Sequence, residues 1–428
     1  MSTKASYLCP PASAFRRDGG VVLILAVFAV ALLTALAVGI AAAVRVELLA
    51  SRSSVSRARS LYLAQAGLNE ARAMLVYDDQ SVDALTDSWG PDAQRPLEQP
   101  HMMGDGWYQV RVHDACGRID INQADVITLT RLTGDEAVAA AIIDWRDEDD
   151  STVTPDGAEA VYYESLPYPY RPRNKPFETP GELLLVRGVT PAMYFGGDSG
   201  PGLADLVTVD SQSPNTDASG KSKMSLSEFR NWGEEAFRNS VMERLGSVLT
   251  LYEAEQIFLG LSALESGGEQ GYTSLAQLMT VAGLDPAKVA QLVDYFCVET
   301  DATVRGKVNL NTAPVEVIAA LPGSSVGLAQ ALVARRDQQP FASLGEAVAF
   351  LMEQPGGPAL FGQMIDRVTT KSSTFLVEAM GRTETGRGFR TLVALMRRMQ
   401  DDVLVIRQSE EDWPLRPLPA RQIRTARR

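Results

Sequence analysis

GRIDINQADVITLTRLTG, residues Gly117–Gly134, aligns without a gap on GKVNLNTAPVEVIAALPG, residues Gly306–Gly323. The identical positions are Gly117/Gly306, Asn122/Asn311, Ala124/Ala313, Val126/Val315, Leu132/Leu321 and Gly134/Gly323. After a one-residue slip, Ile142–Asp147 (IIDWRD) matches Leu332–Asp337 (LVARRD). Pro176-Phe177 with Gly181-Glu182 then matches Pro340-Phe341 with Gly345-Glu346, and the first copy carries 26 additional residues before that block. A segment repeated at this length is one supersecondary unit used more than once. Each copy reads as a short strand, a helix, a glycine turn, a second helix and a third helix after Pro-Phe. Asn122 and Asn311 are the expected N-caps, since an Asn oxygen can satisfy orphan helix N–H groups. Pro314 falls where its missing donor costs little, and Gly134 and Gly323 suit a left-handed closing turn. Tyr272–Leu278 (YTSLAQL) echoes Phe341–Leu344 (FASL) and reads as part of a third unit.

Outward from the repeat the pattern becomes β. Trp107–His113 alternates apolar and polar residues and predicts a strand, while 77–106, rich in Asp, Pro and Gly, reads as a loop. Phe375–Met380 and Thr391–Met396 are apolar runs joined by Gly381–Gly388, a hairpin pattern, and Val403–Ile406 reads as a further short strand. The stretch 196–223 reads as a loop or boundary. Within it, Gly197-Asp-Ser-Gly-Pro201 resembles a protease nucleophile loop, but its Gly/Asp/Ser content reads better as a turn. Arg416–Arg428 carries five Arg and reads as a solvated tail. The helical repeats therefore sit between strands able to close one sheet.

At the other end, Val21–Val44 is an uncharged apolar run of 24 residues. At the helical rise it covers roughly 36 Å, enough to cross a bilayer core. It continues without Pro into an amphipathic stretch to Leu75, with Leu61, Leu68 and Leu75 spaced by seven. One helix of roughly 55 residues is expected. Lys4, Arg16 and Arg17 precede the span and Arg45, Arg52, Arg57 and Arg59 follow it, so charge leaves its orientation open.

The chain of 428 residues is 22% charged and 45% hydrophobic, which excludes a disulfide miniprotein, a collagen-like chain and a wholly disordered one. A net charge of −13 argues against a surface built to hold phosphates. Two histidines leave little for His-based zinc or triad chemistry, and the composition is otherwise silent on enzymology. Cys9, Cys116 and Cys297 show no CxxC spacing, and a Cys116–Cys297 disulfide stays open. The strongest charge cluster is Asp144–Glu164, with eight acidic residues against Arg146 alone. Hard oxygens on a Gly-containing loop are what Ca²⁺ uses, although an EF-hand pattern is missing; the other reading is a solvated acidic loop. Asp147, Asp149, Asp150 and Asp156 are the candidate ligands.

The basic leader ending in Gly20, followed by the long apolar helix and the amphipathic one, resembles type IV pilins and type II secretion pseudopilins. That resemblance implies cleavage by prepilin peptidase between Gly20 and Val21 and methylation of the new amino terminus. Most of that family carry Glu five residues into the processed chain; here the position is Leu25, with Ile24 and Ala26 also neutral. A carboxylate buried in a membrane is kept only where it is paired, so its loss points to a subunit with no neighbour above it. That departure, the KVNLNTAP motif at Lys307–Pro314 and the order of elements together resemble the pseudopilin K family from end to end.

The resemblance implies a non-catalytic protein of the inner membrane, single-pass, with its C-terminal body in the periplasm. It would form the tip of the pseudopilus, initiate its assembly and cap it, with the minor pseudopilins I and J as partners and Ca²⁺ as a ligand. The expected fold class is α+β, a pilin-like fold with a long N-terminal transmembrane helix and a small antiparallel sheet. A large helical domain with duplicated helix-hairpin-helix-like (SAM-like) repeats interrupts it. The expected boundaries are a leader over 1–20, a membrane span over 21–44, the amphipathic helix, loop and first strand over 45–116, and the inserted helical domain over 117–370. Repeat one is placed at 117–190 and repeat two at 306–352, followed by C-terminal strands over 371–408 and a tail over 409–428. The class-distinct alternative is a membrane-anchored helix-hairpin-helix DNA-binding protein of a competence or type IV pilus system. Asp135 and Glu136 would repel a phosphate at the first hairpin, and Arg335-Arg336 is the only compact basic pair near the second. No nucleic-acid partner is expected.

Overall fold

The computed structural model describes residues 19–411, apart from 95, 198–199, 232, 247, 267–271, 282–283 and 385–387. The leader residues 1–18, Cys9 among them, the tail from 412 onward and the Asp198-Ser199 pair lie outside the described residues. The contacts divide the chain at Arg59/Ser60 into two compact units.

Helix α1 runs without interruption from Gly19 to Tyr77. In the first unit its side chains are exposed all round, Leu25 by 64%. Ala, Val, Leu and Ile with no Pro keep every backbone donor within the helix, which is the condition for sitting in hydrocarbon. The helix is long and apolar enough to cross a membrane.

In the second unit, Ser60–Tyr77 lies on a five-stranded antiparallel sheet. Its strands are β1 (His101–Met103), β2 (Gly106–Asp114), β3 (Thr374–Thr383), β4 (Phe389–Arg398) and β5 (Val403–Glu411), in that spatial order. Ala64, Leu68, Ala71 and Leu75 recur at three and four residues, the spacing of one helical face. They pack on Val110, Val112, Phe375, Val377, Ala379, Leu392 and Ala394. The stretch 77–106, whose composition predicts a loop, begins with the last helical residue and contains β1, which pairs with β2 through His101↔Tyr108.

The helical segment interrupts the sheet between two adjacent strands. The chain leaves at Asp114 and returns at Thr374, and Asp114 pairs with Phe375. Carboxylates hold this crossing. Asp114 Oδ2 accepts hydrogen bonds from Asn309 Nδ2 (2.9 Å), Thr312 Oγ1 (2.6 Å) and Ser372 Oγ (2.7 Å), while its Oδ1 accepts from the Cys116 amide. Asp83 accepts from the Ser372 amide (2.7 Å) and from Arg398 (2.5 Å), whose guanidinium also donates to Asp78 (3.1 Å).

Inside the insert the duplication is visible as geometry. Copy one contains α2 (Val126–Thr133) and α3 (Glu136–Arg146); copy two contains α4 (Val315–Ala320), α5 (Val326–Arg336) and α6 (Leu344–Met352). Each copy is closed by a two-residue parallel ladder, Ile119-Asp120 with Val207-Thr208 and Val308-Asn309 with Val368-Thr369. A third ladder, Met224-Ser225 with Phe296-Cys297, closes a segment whose described residues include the helices Glu234–Leu245, Leu251–Ser266 and Pro286–Leu292 and a capped 3₁₀ turn at Leu275–Thr280. The corresponding cap pairs are Thr179 with Glu182 and Ser274 with Gln277, each opening a 3₁₀ turn, and Ser343 with Glu346, which opens α6. Tyr272–Leu278 lies within this third ladder-closed unit. Its helices carry few residues in common with the other two, so only the cap and the spacing revealed it.

Several local expectations change. Asn122 and Asn311 are not N-caps: Asp125 caps α2 through the Thr128 amide, and Pro314 precedes α4 without a side-chain cap. Each Asn lies further ahead of its helix and uses both ends of its amide on one later residue. Asn122 accepts from Phe177 N–H (2.8 Å) and donates to Phe177 C=O (3.0 Å), and Asn311 does the same with Phe341 at 2.9 Å and 2.9 Å. This explains why Asn is shared between the copies, and why Pro-Phe follows in both. Gly134 and Gly323 do take left-handed conformations, at φ 74° and 77°. Cys116 and Cys297 are separate buried thiols, donating to the carbonyls of Gln212 and Glu299, so no disulfide joins them.

Asn311→Ala is expected to lower stability by ~2–3 kcal/mol, because it strands two buried backbone groups of Phe341. Asn122→Ala, at a half-buried site, should cost less. Urea midpoints of the two variants check this; equal shifts would contradict the burial argument.

Candidate cation site and assembly segments

The acidic insertion of copy one follows α3, and helix geometry decides which of its carboxylates turn inward. Asp144 lies on the last turn of α3, and Asp147, three residues on, is its C-cap, with its amide still bonded to Ile143 O. Glu159 returns to them from the far side of the loop. One oxygen from each of Asp144, Asp147 and Glu159 lies within 4.8 Å of the others. Asp144 is fully buried and anchors the loop, accepting from the amides of Val153 (2.8 Å) and Ala158 (2.7 Å). Gly157 makes this approach possible: a Cβ there would sit 2.0 Å from Asp144 Oδ2.

Several oxygens in this region are buried and have no hydrogen-bond partner among the described residues: Asp147 Oδ1, both Glu159 carboxylate oxygens, Thr154 Oγ1 and Asn174 Oδ1. Burial, together with the charges of the neighbouring aspartates, pushes the Glu159 carboxyl up to about 7 and Asp147 up to about 6. Asp144 is raised as well, chiefly by burial. Crowded carboxylates with empty lone pairs are the donor set of a hard cation.

Of the four ligands expected from sequence, only Asp147 belongs to this group. Asp149 and Asp150 are exposed; Asp149 accepts from the Ser151 amide (2.7 Å) and Asp150 from Asn174 Nδ2 (3.1 Å). Asp156 is exposed, and its carbonyl accepts from Arg187 (3.2 Å). Asp144 and Glu159 lay within the same acidic run. The helical spacing of Asp144 and Asp147 was the signal that favoured them, whereas Glu159 depends on how the loop folds back.

A second acidic group, Asp78, Asp83 and Asp87, also brings three oxygens within 4.8 Å. Arg398 and Trp89 Nε1 already fill it, so it is an ion-paired structural knot. The basic pair considered for phosphate is likewise engaged internally. Arg335 pairs with Glu346 (2.5 Å), and buried Arg336 donates to the carbonyls of Leu310 (2.7 Å) and Ala313 (2.5 Å). Arg146 makes the equivalent contacts in copy one, to Ile121 and Ala124. These arginines are part of the repeat's architecture, and Asp135 serves as the N-cap of α3.

Comparison with known proteins meets the same two copies. Two family models described as type II secretion system, protein K, match residues 126–195 and 308–369. Over those two segments the chain is similar to type II secretion system protein K. A curated relative, type II secretion system protein K of Aeromonas hydrophila, is 26% identical over 209 residues, covering 42% of this chain. The match spans 61% of that relative's length. A solved structure, the GspK-GspI-GspJ complex from enterotoxigenic Escherichia coli, aligns over 85% of this chain and 99% of the matched chain. Its TM-score is 0.47 at 14% identity. Both family matches fall in the insert, outside α1 and the sheet.

Proposed function

We propose that this chain is the minor pseudopilin K of a type II secretion system, a non-catalytic subunit at the tip of the periplasmic pseudopilus. The observation that carries this reading is the pairing of two protein K matches with an N-terminal helix that has Leu25 where a pilin-type subunit carries a carboxylate. The apolar part of α1 anchors the chain in the inner membrane as a single pass, with the C-terminal body in the periplasm. By analogy with the GspK-GspI-GspJ complex, its partners are the minor pseudopilins I and J. The helical insert acts as the cap: its bulk stands where a further subunit would stack. The paired helices and glycine turns of the units are used as helix-hairpin-helix-like scaffolds, with their arginines facing inward.

The Asp144, Asp147 and Glu159 oxygens fit Ca²⁺, which accepts irregular all-oxygen sites. When bound, the ion supplies positive charge to oxygens that otherwise repel one another. The chain's own contribution is to close the insertion on α3.

Processing tests the assignment. Intact mass of the membrane-extracted protein, made with and without prepilin peptidase, should show peptidase-dependent loss of residues 1–20 and a methyl group on Val21. An unprocessed chain in both samples would remove the pseudopilin reading and leave α1 as a plain anchor.

A further inference from the structure

A small cavity of about 40 Å³ lies where the third unit, copy two and the return to the sheet meet, and its lining includes Ser81, Thr216, Lys223, Asp294, Ser343 and Lys371. Two ammonium groups face one carboxylate there. The Lys371 ammonium is fully engaged, donating to Thr216 O (3.1 Å), Thr216 Oγ1 (3.3 Å) and Asp217 O (2.9 Å). Lys223 is different: its one hydrogen-bond partner among the described residues is the Val293 carbonyl, at 2.8 Å. Lys223 is half-buried, and two of its three donors have no acceptor among the described residues. Asp294, the neighbouring carboxylate, uses one oxygen on the Gly345 amide (2.9 Å) and makes no ion pair within 4 Å with either lysine among the described residues. The next lysine, Lys307, is neutralised by Glu299 at 2.9 Å.

Within the lining Lys223 and Lys371 face Asp294 alone, while Asp217, Asp83 and Asp79 act on Lys371 from outside it, so Lys223 is the ammonium left with the fewest partners. Burial, reinforced by the charges of Lys307 and Lys371 and opposed by Asp294, pushes the Lys223 ammonium down to about 8. We propose that this cavity is a binding site for one small monovalent anion, a halide or a carboxylate of formate or acetate size, held chiefly by Lys223. Size sets the class. A water needs about 10–15 Å³ on this measure, so the space takes about three water-sized atoms and excludes sugar acids. The bound anion would tie the loop after α1, the third unit and the start of α6 to one point.

The test uses the full chain in detergent micelles, at constant ionic strength, with sodium gluconate replaced stepwise by chloride, formate or acetate. A saturating rise in melting temperature of about 2–3 °C is expected in at least one small anion, and Lys223→Met should abolish it. A rise in chloride alone identifies a halide site, and a rise in formate or acetate a carboxylate site. Equal melting temperatures in all four salts, or a Lys223→Met variant that keeps the increment, overturn the proposal. Should that variant fail to fold, crystals of the unaltered chain grown in bromide decide the matter. An anomalous peak beside Lys223 supports the site, and its absence, together with no carboxylate density there in crystals grown in formate, refutes it.

Discussion

Replacing Arg398 with alanine is expected to destabilise the folded body by ~3–5 kcal/mol, the range for removing one partner of a buried ion pair. Arg398 is 5% exposed, and it faces Asp83, which is fully buried, together with Asp78. Burial already holds the Asp83 carboxyl up at about 7, with Arg398 as the strongest opposing influence. Without the guanidinium, Asp83 must take a proton or remain an unpaired buried charge, and the Ser372 carbonyl loses its donor. The position of the damage matters as much as its size. Ser372 is the re-entry point to the sheet, and Asp114 at the exit holds both Ser372 and Asn309. Loss of Arg398 should therefore loosen the joint between sheet and insert before it melts either. Hydrogen exchange should show faster opening at 309–312 and 370–373 than in β3 and β4, alongside a lowered urea midpoint. Arg398→Lys, which keeps the charge but not the fork that reaches Asp78, Asp83 and Ser372 together, should fall between the two. A midpoint within ~0.5 kcal/mol of the parent would show that the knot is not a significant source of stability.

The parts of this fold that were legible in the sequence are those governed by local pattern. The apolar run of α1, the alternation in β2 and the hairpin of β3 and β4 each announce themselves by period. The duplication was legible because Gly134, Gly323, Asn122 and Asn311 occupy positions with strict backbone demands. Their roles were only half legible. A glycine's left-handed turn is a local property, whereas the partners of Asn122 and Asn311, 55 and 30 residues onward, are tertiary. The third unit was hidden for the opposite reason, since it keeps the cap and the ladder but few of the residues. The acidic site follows the same division. The richness of 144–164 in carboxylates can be read directly, but which of them turn inward depends on the helical phase of α3 and on Gly157. The joint at Asp83, Asp114 and Arg398 unites residues up to 315 positions apart and had no sequence signal.

Calcium is expected to stabilise the unaltered chain by about 4 kcal/mol at a concentration 1,000 times its dissociation constant, as mass action requires of a ligand bound only by the folded state. The effect should depend on pH in a definite direction. Glu159 and Asp147 have folded values above those of the unfolded chain, so without metal they hold protons that the unfolded state would release. A raised carboxyl favours the folded state at low pH, and that contribution is lost as pH climbs from about 4 through about 7. Calcium competes for the same oxygens. Its affinity should therefore rise across that window, with protons released on binding, and the metal-dependent gain in melting temperature should be larger at pH 8 than at pH 5. Glu159→Gln and Asp147→Asn relieve the repulsion but weaken the site. Each is expected to equal or exceed the parent in chelator at pH 8 and to lose most of the gain from calcium. Asp149→Asn and Asp156→Asn, whose side chains face solvent, should keep that gain. Calorimetric titration in two buffers of different ionisation enthalpy measures affinity and proton release together. No heat of binding at pH 8, or a gain that survives in Glu159→Gln, would return the insertion to a solvated acidic loop. If the gain were lost in Asp149→Asn instead, the ion would sit at the outer aspartates and not against α3.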